Sequence, residues 1–547
     1  MNQASSLTIK ALTVRYPQQH ITAVKNISFT LQTGENIGLI GESGCGKTSL
    51  AHTLLGIKNQ HAQYQGTVML DEMELLAMND VMLNQQVRWS RIALVFQNSN
   101  DVLNPLLTIH AQLMECLTSH ASQLSTEQRQ QRIDTILSRT GLHPQWQAAY
   151  PHQLSGGMRQ KVLIAMALLC EPEYLIIDEP TASLDPQSKT EIITLLQQLQ
   201  QAGLGMLIIS HDLQLILTLC QQIMVMYAGM IIEKGLRDEL LTHPQHPYTR
   251  GLLSSSPYLS RYRDLWGIPE SAERDEQGCP FRFRCNQTHP ACALHPPKMR
   301  RLSATHQVIC SRGGQIVRLQ AREINKTFYQ PNRVQVCQQC NLDIYAGEVV
   351  ALVGQSGSGK STLASIISGL SQADNGHITF NHHPLSGNSE TTRLGGLQLV
   401  FQDPKSAINE RLTVQQVVTE PLLINHIGHK TWQLDQVKRA LEQVGLASDS
   451  LFLNCRCFML SGGQLQRVAI ARAMVMQPSL LIADEITSAL DPSTQANVIR
   501  LLKGLQNSRG FSMLFITHDL ALAQKIADRV LQMEQGQLHT GNLNSIN

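Results

Sequence analysis

With 547 residues and 42% hydrophobic side chains, the chain is long enough to build more than one core. A net charge of +2 supplies neither a basic face for nucleic acid nor an acidic tail, so no nucleic-acid partner is expected. The Met1 end is polar and no apolar run approaches the roughly eighteen residues of a membrane span, so neither a secretory signal nor a spanning helix is expected.

In chain order, the first buried-strand pattern is ENIGLI (35–40), which runs into GESGCGKT (41–48). KTSLAHTLLG (47–56) then reads as a helix. Further along, YLIIDE (174–179) is an apolar strand ending in two acids, and GMLIISHD (205–212) is a strand ending at a histidine. The same series returns in the second half. EVVALV (348–353) leads into GQSGSGKS (354–361), and KSTLASIISG (360–369) follows as a helix. LLIADE (480–485) and SMLFITHD (512–519) close the series. VFQN (95–98) matches VFQD (400–403), and LSGGMRQ (154–160) matches LSGGQLQ (460–466). Landmarks in one order at nearly constant separation mean two copies of one domain, since the period is far too long for a solenoid. The copies are placed at 1–250 and 314–547, with 251–313 as an appendage. Strands alternating with helices predict an α/β fold with a mainly parallel sheet in each copy, and loops at its carboxyl ends.

Each motif has a chemical reason. In the first loop Gly41, Glu42, Ser43, Gly44, Cys45 and Gly46 can wrap backbone N–H groups around phosphate oxygens, with Lys47, Thr48 and Ser49 opening the helix. In the second, Gly354, Gln355, Ser356, Gly357, Ser358 and Gly359 do the same ahead of Lys360, Ser361 and Thr362. Lys47 and Lys360 reach the β- and γ-phosphates of ATP, and Thr48 and Ser361 hold Mg²⁺. Asp178 and Asp484 end strands where a carboxylate completes the Mg²⁺ shell. Glu179 and Glu485 follow as candidate bases for the attacking water. Gln97 and Gln402 can ligate Mg²⁺ and orient water without adding charge. His211 and His518 can hydrogen-bond the γ-phosphate. Ser155, Gly156 and Gly157, and Ser461, Gly462 and Gly463, can present a hydroxyl and amides to phosphate at a helix start.

The LSGG element is the discriminating one. With it the sequence resembles the ATP-binding-cassette (ABC) ATPases over about 480 residues, on six motifs in order. The resemblance implies two cassettes packed head to tail. Lys47 would then share a nucleotide with Ser461, and Lys360 with Ser155, with the D-loops ASLD (182–185) and SALD (488–491) at that interface. Tethering both cassettes in one chain raises their effective concentration. The family's adenine-stacking aromatic falls on Tyr16 in the first copy and on Phe328 or Tyr329 in the second. Neither copy lacks its Lys, Gln, Glu or His, so two hydrolytic sites are expected. Departures are Ile486 in place of proline, CRCFM (455–459) in place of YPHQ (150–153), and Met158 and Lys161 in the first signature.

The stretches HPQHPYTRGLLSSSP (243–257), GIPE (267–270) and GCPFRFRCNQTHPACALHPP (278–297) resemble the C-terminal extension of ATPases from the oligopeptide, dipeptide and nickel import family. FQDPKSAINER (401–411) and LNP (103–105) are similar to that family's two subunits, so the chain reads as both ATPase subunits fused. The resemblance implies two integral-membrane permease subunits as partners, a substrate-binding protein that reaches the chain through them, and a peripheral place on the cytoplasmic face of the membrane. Di- or oligopeptide cargo is expected, with nickel or a metal–chelator complex as the alternative. A ribosomal or DNA-repair ABC protein would carry a charged linker or a coiled-coil insertion, and an exporter would carry its own membrane helices; neither pattern is present. Of twelve cysteines, Cys279, Cys285, Cys292 and Cys310 cluster. They lack the close C-x₂₋₄-C pair usual in zinc sites. Some family members carry a four-cysteine extension holding a [4Fe–4S] cluster, and the resemblance implies that site here; zinc and unligated thiols stay open.

Overall fold

The computed structural model describes residues 5–97, 102–259, 267–271, 273, 277–329, 333–385, 396–488 and 490–540. Asn98 of the first VFQN motif and Ala489 of the second D-loop lie outside the described residues. The chain divides into two compact units. The first comprises Met1–Leu253, Gln277–Pro280 and His295–Gly314; the second comprises Ser254–Glu276, Phe281–Leu294 and Gln315–Asn547. Residues of the 251–313 appendage therefore fall in both units.

In the first unit, β1 (Ser6–Tyr16), β2 (Ile21–Gln32), β4 (Gln63–Leu70) and β5 (Met73–Glu74) form an antiparallel sheet in the order β2-β1-β4-β5. Its strands alternate buried and exposed residues, as in β1, where Leu7, Ile9, Leu12 and Val14 point inward. The second sheet contains β3 (Asn36–Ile40), β6 (Ile92–Val95), β7 (Tyr174–Asp178), β8 (Gly205–Ile209), β9 (Gln222–Tyr227) and β10 (Met230–Leu236). Two short strands, β11 (Met299–Arg301) and β12 (Gln307–Ile309), extend it to the order β11-β12-β10-β9-β3-β8-β7-β6. β3, β7 and β8 are buried at every residue, as parallel strands covered on both faces must be. One apolar core joins the two sheets around Ile37, Leu39, Leu50, Leu54, Ile176 and Leu207. Between β6 and β7 lies a helical segment, Ile109–His120, Thr126–Arg139 and Gly156–Leu168, started by the N-caps Thr108, Ser125 and Ser155.

The second unit repeats this plan. β13 (Val317–Phe328), β14 (Val334–Tyr345), β16 (Asn375–Phe380) and β17 (His383–Pro384) form the antiparallel sheet. β15 (Val349–Val353), β18 (Leu397–Val400), β19 (Leu480–Asp484), β20 (Ser512–Thr517), β21 (Arg529–Glu534) and β22 (Gln537–Thr540) form the other, in the order β18-β19-β20-β15-β21-β22. Five of its strands, β18, β19, β20, β15 and β21, run parallel, and β22 is antiparallel at the edge, beside β21. The α/β fold with a mainly parallel sheet in each copy is as the sequence predicts. The antiparallel sheets were not foreseen, because the apolar strand runs read from the sequence all lie on the parallel sheets. No helix among the described residues is long and apolar enough to cross a membrane.

Candidate functional site

Each glycine loop runs from the end of a buried strand into a helix, Gly41–Gly46 into Lys47–Leu54 and Gly354–Gly359 into Lys360–Ser368. Gly46 and Gly359 both take φ 109. A Cβ at Gly46 would lie 1.9 Å from the Ala23 carbonyl oxygen, and one at Gly359 would lie 2.1 Å from that of Val336. No other residue fits there. The lysine Nζ atoms are buried inside the loops. Lys47 donates to the carbonyls of Gly41 and Glu42 at 2.9 Å each, and Lys360 to those of Gly354 and Gln355 at 2.9 Å each. The Cys45 Sγ lies 3.9 Å from the Lys47 Nζ, and burial raises the Cys45 pKa. Ser358 stands at the same position in the second loop.

The hydroxyl that opens each helix meets a strand-end carboxylate. Thr48 Oγ1 donates to Asp178 Oδ2 at 2.8 Å, and Ser361 Oγ donates to Asp484 Oδ1 at 3.2 Å. Burial raises the pKa of both aspartates, and each hydroxyl bond opposes that rise. A hydroxyl beside a carboxylate at the mouth of a phosphate loop is the hard oxygen pair that Mg²⁺ takes, so these residues fit the ion.

The next residue, Glu179 or Glu485, turns into the left-handed region at φ 52 or φ 46. Its N–H is held by the neighbouring strand, by Ile209 at 2.8 Å or Ile516 at 3.0 Å. The side chains then differ. Glu179 accepts from Ser210 Oγ at 3.0 Å and from the His211 N–H at 3.1 Å, and its Oε2 lies 2.8 Å from His211 Nδ1. Glu485 Oε1 lies 3.6 Å from Lys360 Nζ, its Oε2 lies 3.6 Å from His518 Nδ1, and it accepts from Gln402 Nε2 at 3.3 Å. Gln97 stands exposed at the equivalent place in the first copy. The structure thus brings Lys360, Gln402, Glu485 and His518 together, and separately Lys47 with its loop and Glu179 with His211.

Ser155 and Ser461 cap the helices Gly156–Leu168 and Gly462–Met474, accepting from Met158 and Gln464 N–H groups. Gly157 and Gly463 pack against the helices capped by the D-loop residues Asp185 and Asp491. A Cβ at Gly157 would lie 2.4 Å from Ser188 Oγ, and one at Gly463 would lie 2.8 Å from Thr494 Cγ2. Buried Cys457 takes the place of buried Pro151 before the second signature, in an equally short 3-10 turn. Tyr16 ends β1 and packs half-buried against the core, while Phe328 ends β13 at the matching position. Tyr329 lies beyond the strand and is exposed.

The expected metal site falls on Cys279, Cys285, Cys292 and Cys310, all of them described residues. Among the described residues no three or more His, Cys, Asp or Glu stand in metal-ligating positions. The residues present do not fit an iron–sulfur cluster.

The extension instead builds a cluster the sequence did not disclose. Glu233, inside β10, is fully buried. Its carboxylate accepts from the N–H groups of Gln245 at 2.7 Å and His246 at 2.8 Å, and its Oε1 lies 2.8 Å from His306 Nε2 on the returning strand pair. His246 Nδ1 accepts from the Tyr248 N–H at 3.1 Å. Burial pushes the His246 pKa down to about 4, while the bond to Glu233 raises that of His306. Fully buried Tyr248 packs on Tyr227, with ring centroids 4.8 Å apart, and its hydroxyl accepts from the Glu42 N–H at 2.8 Å. The dense run of His, Pro and Tyr in HPQHPY was the available signal; Glu233 had none beyond being a lone acid in an apolar run. Beside the second phosphate loop lies a cavity of about 920 Å³, lined by Gln355, Gly357, His518, Glu534 and Gln537 among others.

Residues 24–182 and 337–488 match the family model described as "ABC transporter", and 232–292 match "Oligopeptide/dipeptide transporter, C-terminal region". The chain belongs to the ABC transporter family as an import-type ATP-binding subunit, and it is an ATPase whose hydrolysis is coupled to transport. It is 33% identical over 568 residues to "Glutathione import ATP-binding protein GsiA" of Escherichia coli (strain K12), covering 98% of this chain and 86% of that protein. The protein of the same description from Shigella dysenteriae serotype 1 (strain Sd197) is likewise 33% identical, with the same coverage. Of solved structures, "Dimeric structure of a post-hydrolysis state of the ATP-binding cassette MJ0796 bound to ADP and Pi" is 28% identical with a TM-score of 0.37, covering 41% of this chain and 98% of that one.

Proposed function

We propose that this chain drives a binding-protein-dependent importer of di- or oligopeptides, short peptides of the glutathione kind included, and that both cassettes hydrolyse ATP. The reading is carried by the match of 232–292 to the oligopeptide-type extension, together with relatives that carry both cassettes and are described as glutathione import proteins. Two permease subunits are the direct partners, a substrate-binding protein delivers the cargo to them, and the chain works at the cytoplasmic face of the membrane.

The residues divide the work. Tyr16 and Phe328 stack on adenine. The loop amides from Gly44 to Ser49 and from Gly357 to Thr362, with Lys47 and Lys360, hold the phosphates. Thr48 with Asp178, and Ser361 with Asp484, hold Mg²⁺, joined by Gln97 and Gln402; the ion supplies charge neutralisation at the phosphoryl group. Glu179 and Glu485 take the proton of the attacking water, and the histidines His211 and His518 orient those carboxylates and the γ-phosphate. In the family's head-to-tail pairing, Ser461, Gly462 and Gly463 close on the nucleotide held by Lys47, and Ser155, Gly156 and Gly157 on that held by Lys360. Hydrolysis releases the pair, and the permease converts the cycle into import.

The test is uptake in cells lacking this gene, complemented with wild type or with Glu179→Gln/Glu485→Gln, using labelled dipeptide, glutathione and nickel in parallel. Peptide uptake restored by wild type alone supports the reading. Nickel uptake alone restored moves the cargo to a metal or metal–chelator complex. No change in any of them, with ATP still hydrolysed by the purified protein, removes the importer assignment.

A further inference from the structure

We infer that Tyr248 is a positioning residue for the first phosphate loop, so that the extension sets the nucleotide affinity of the first cassette alone. The inference rests on reading Gly41–Thr48 as an ATP loop. Tyr248 does not reach the phosphates; it acts on the peptide unit that joins Gly41 to Glu42. The N–H of that unit donates to the Tyr248 hydroxyl at 2.8 Å, and its carbonyl, that of Gly41, accepts from the Lys47 Nζ at 2.9 Å. One planar group therefore carries the tyrosine on one side and the phosphate-binding lysine on the other. Rotation of that peptide would move both at once, so the hydroxyl restrains the lysine's anchor.

Tyr248 is itself fixed. Glu233 holds the two N–H groups ahead of it, His246 caps its helix, Pro247 opens that helix, and His306 of the returning strand pair closes the cluster. Each letter of His246-Pro247-Tyr248 thus has a task that ends at the phosphate loop. Among the described residues the second cassette shows no such device. Its residues at the positions of Glu42 and Tyr227 are Gln355 and Glu534, and both line the cavity of about 920 Å³. The same loop is braced in one copy and bordered by open space in the other.

The experiment titrates a non-hydrolysable ATP analogue with Mg²⁺ into the purified full chain. A Lys360→Ala background reads the first loop and a Lys47→Ala background reads the second. Tyr248→Phe removes only the hydroxyl. It is expected to weaken binding about three- to tenfold in the Lys360→Ala background, the worth of one hydrogen bond, and less than about twofold in the Lys47→Ala background. In steady-state assays of the Lys360→Ala chain it raises the KM for ATP more than it lowers kcat. No weakening, or equal weakening in both backgrounds, overturns the inference. If adding Lys47→Ala to the Lys360→Ala chain leaves binding intact, the ATP-loop reading fails instead. Should Tyr248→Phe not fold, hydrogen exchange on the wild-type chain decides: by reciprocity the analogue must slow exchange in the helix Pro247–Ser254, and must not do so when Lys47 is alanine. Unchanged exchange in that helix overturns the inference.

Discussion

The two cassettes share a loop geometry nearly atom for atom and differ in what surrounds it. Both lysines bind two loop carbonyls at 2.9 Å, and both loop glycines sit at φ 109. Yet Glu179 is drawn to Ser210 and His211, whereas Glu485 lies toward Lys360 and Gln402. Thr517 replaces Ser210; both hydroxyls accept from the N–H two residues on, of Asp519 and Asp212, and that of Ser210 also donates to Glu179. The first loop is also braced by the extension. Strict backbone requirements keep the glycine loop alike in both copies, while single side-chain exchanges let the surroundings of Glu179 and Glu485 differ.

The equivalence of the two carboxylates is the part of that comparison most easily broken. The double change Glu179→Gln/Glu485→Gln is predicted to lower the ATPase rate by about 10²–10⁴-fold, the range for removing a general base. Each single change should retain measurable turnover in a phosphate-release assay. A single variant as inactive as the double would mean that only one copy hydrolyses.

A smaller effect separates the first unit by pH. The folded His246 titrates at about 4 against an ordinary 6.5. Between these values the unfolded chain binds a proton that the folded chain does not, so stability falls as pH drops through that window. The size is at most about 3 kcal/mol. His306, raised by Glu233 and Glu239, works the opposite way: its contribution is full below its unfolded pKa and is lost as pH rises through the folded one. Urea unfolding of the wild-type chain should weaken toward pH 4, and His246→Asn should flatten that slope. An unchanged slope would show that His246 is not what makes the first unit acid-sensitive.

Gly157→Ala should lower the thermal midpoint of the nucleotide-free chain more than Gly463→Ala, since its Cβ would meet Ser188 at 2.4 Å and the other would meet Thr494 at 2.8 Å. Overpacking of this kind costs about 1–3 kcal/mol. Equal midpoints would mean that Ser188 gives way as readily as Thr494. The smallest effect is at Ser210. Ser210→Ala removes one of the holds on Glu179 and should slow the first site about three- to tenfold, measured with Glu485→Gln present. Thr517→Ala, measured with Glu179→Gln present, should change the second site less. The reverse order would remove the distinction drawn between the two carboxylates.

Much of this was legible in the letters. Buried parallel strands announce themselves as short apolar runs, and NIGLI, YLIID and GMLII are buried at every position. Asp178, Glu179 and His211 stand at the ends of such runs and Lys47 opens the helix after one, where a motif can be read in place. The cysteine cluster misled because spacing along the chain does not fix which thiols stand together in the fold. Glu233 and Tyr248 stayed hidden for the same reason, as neither sits in a repeated pattern.

By itself the sequence determined that there are two cassettes, where each phosphate loop lies, and which carboxylates follow it. Those properties are local: a glycine at a forced φ, a lysine opening a helix, an acid at a strand end. Only the tertiary structure decided that Thr48 meets Asp178 across 130 positions and that Tyr248 meets Glu42 across 206. It also decided that the return of β12 to β10 places His306 on Glu233. Such pairings come from burial, which brings distant polar groups together because each must find a partner once water is gone, and no periodicity along the chain records which partner that is.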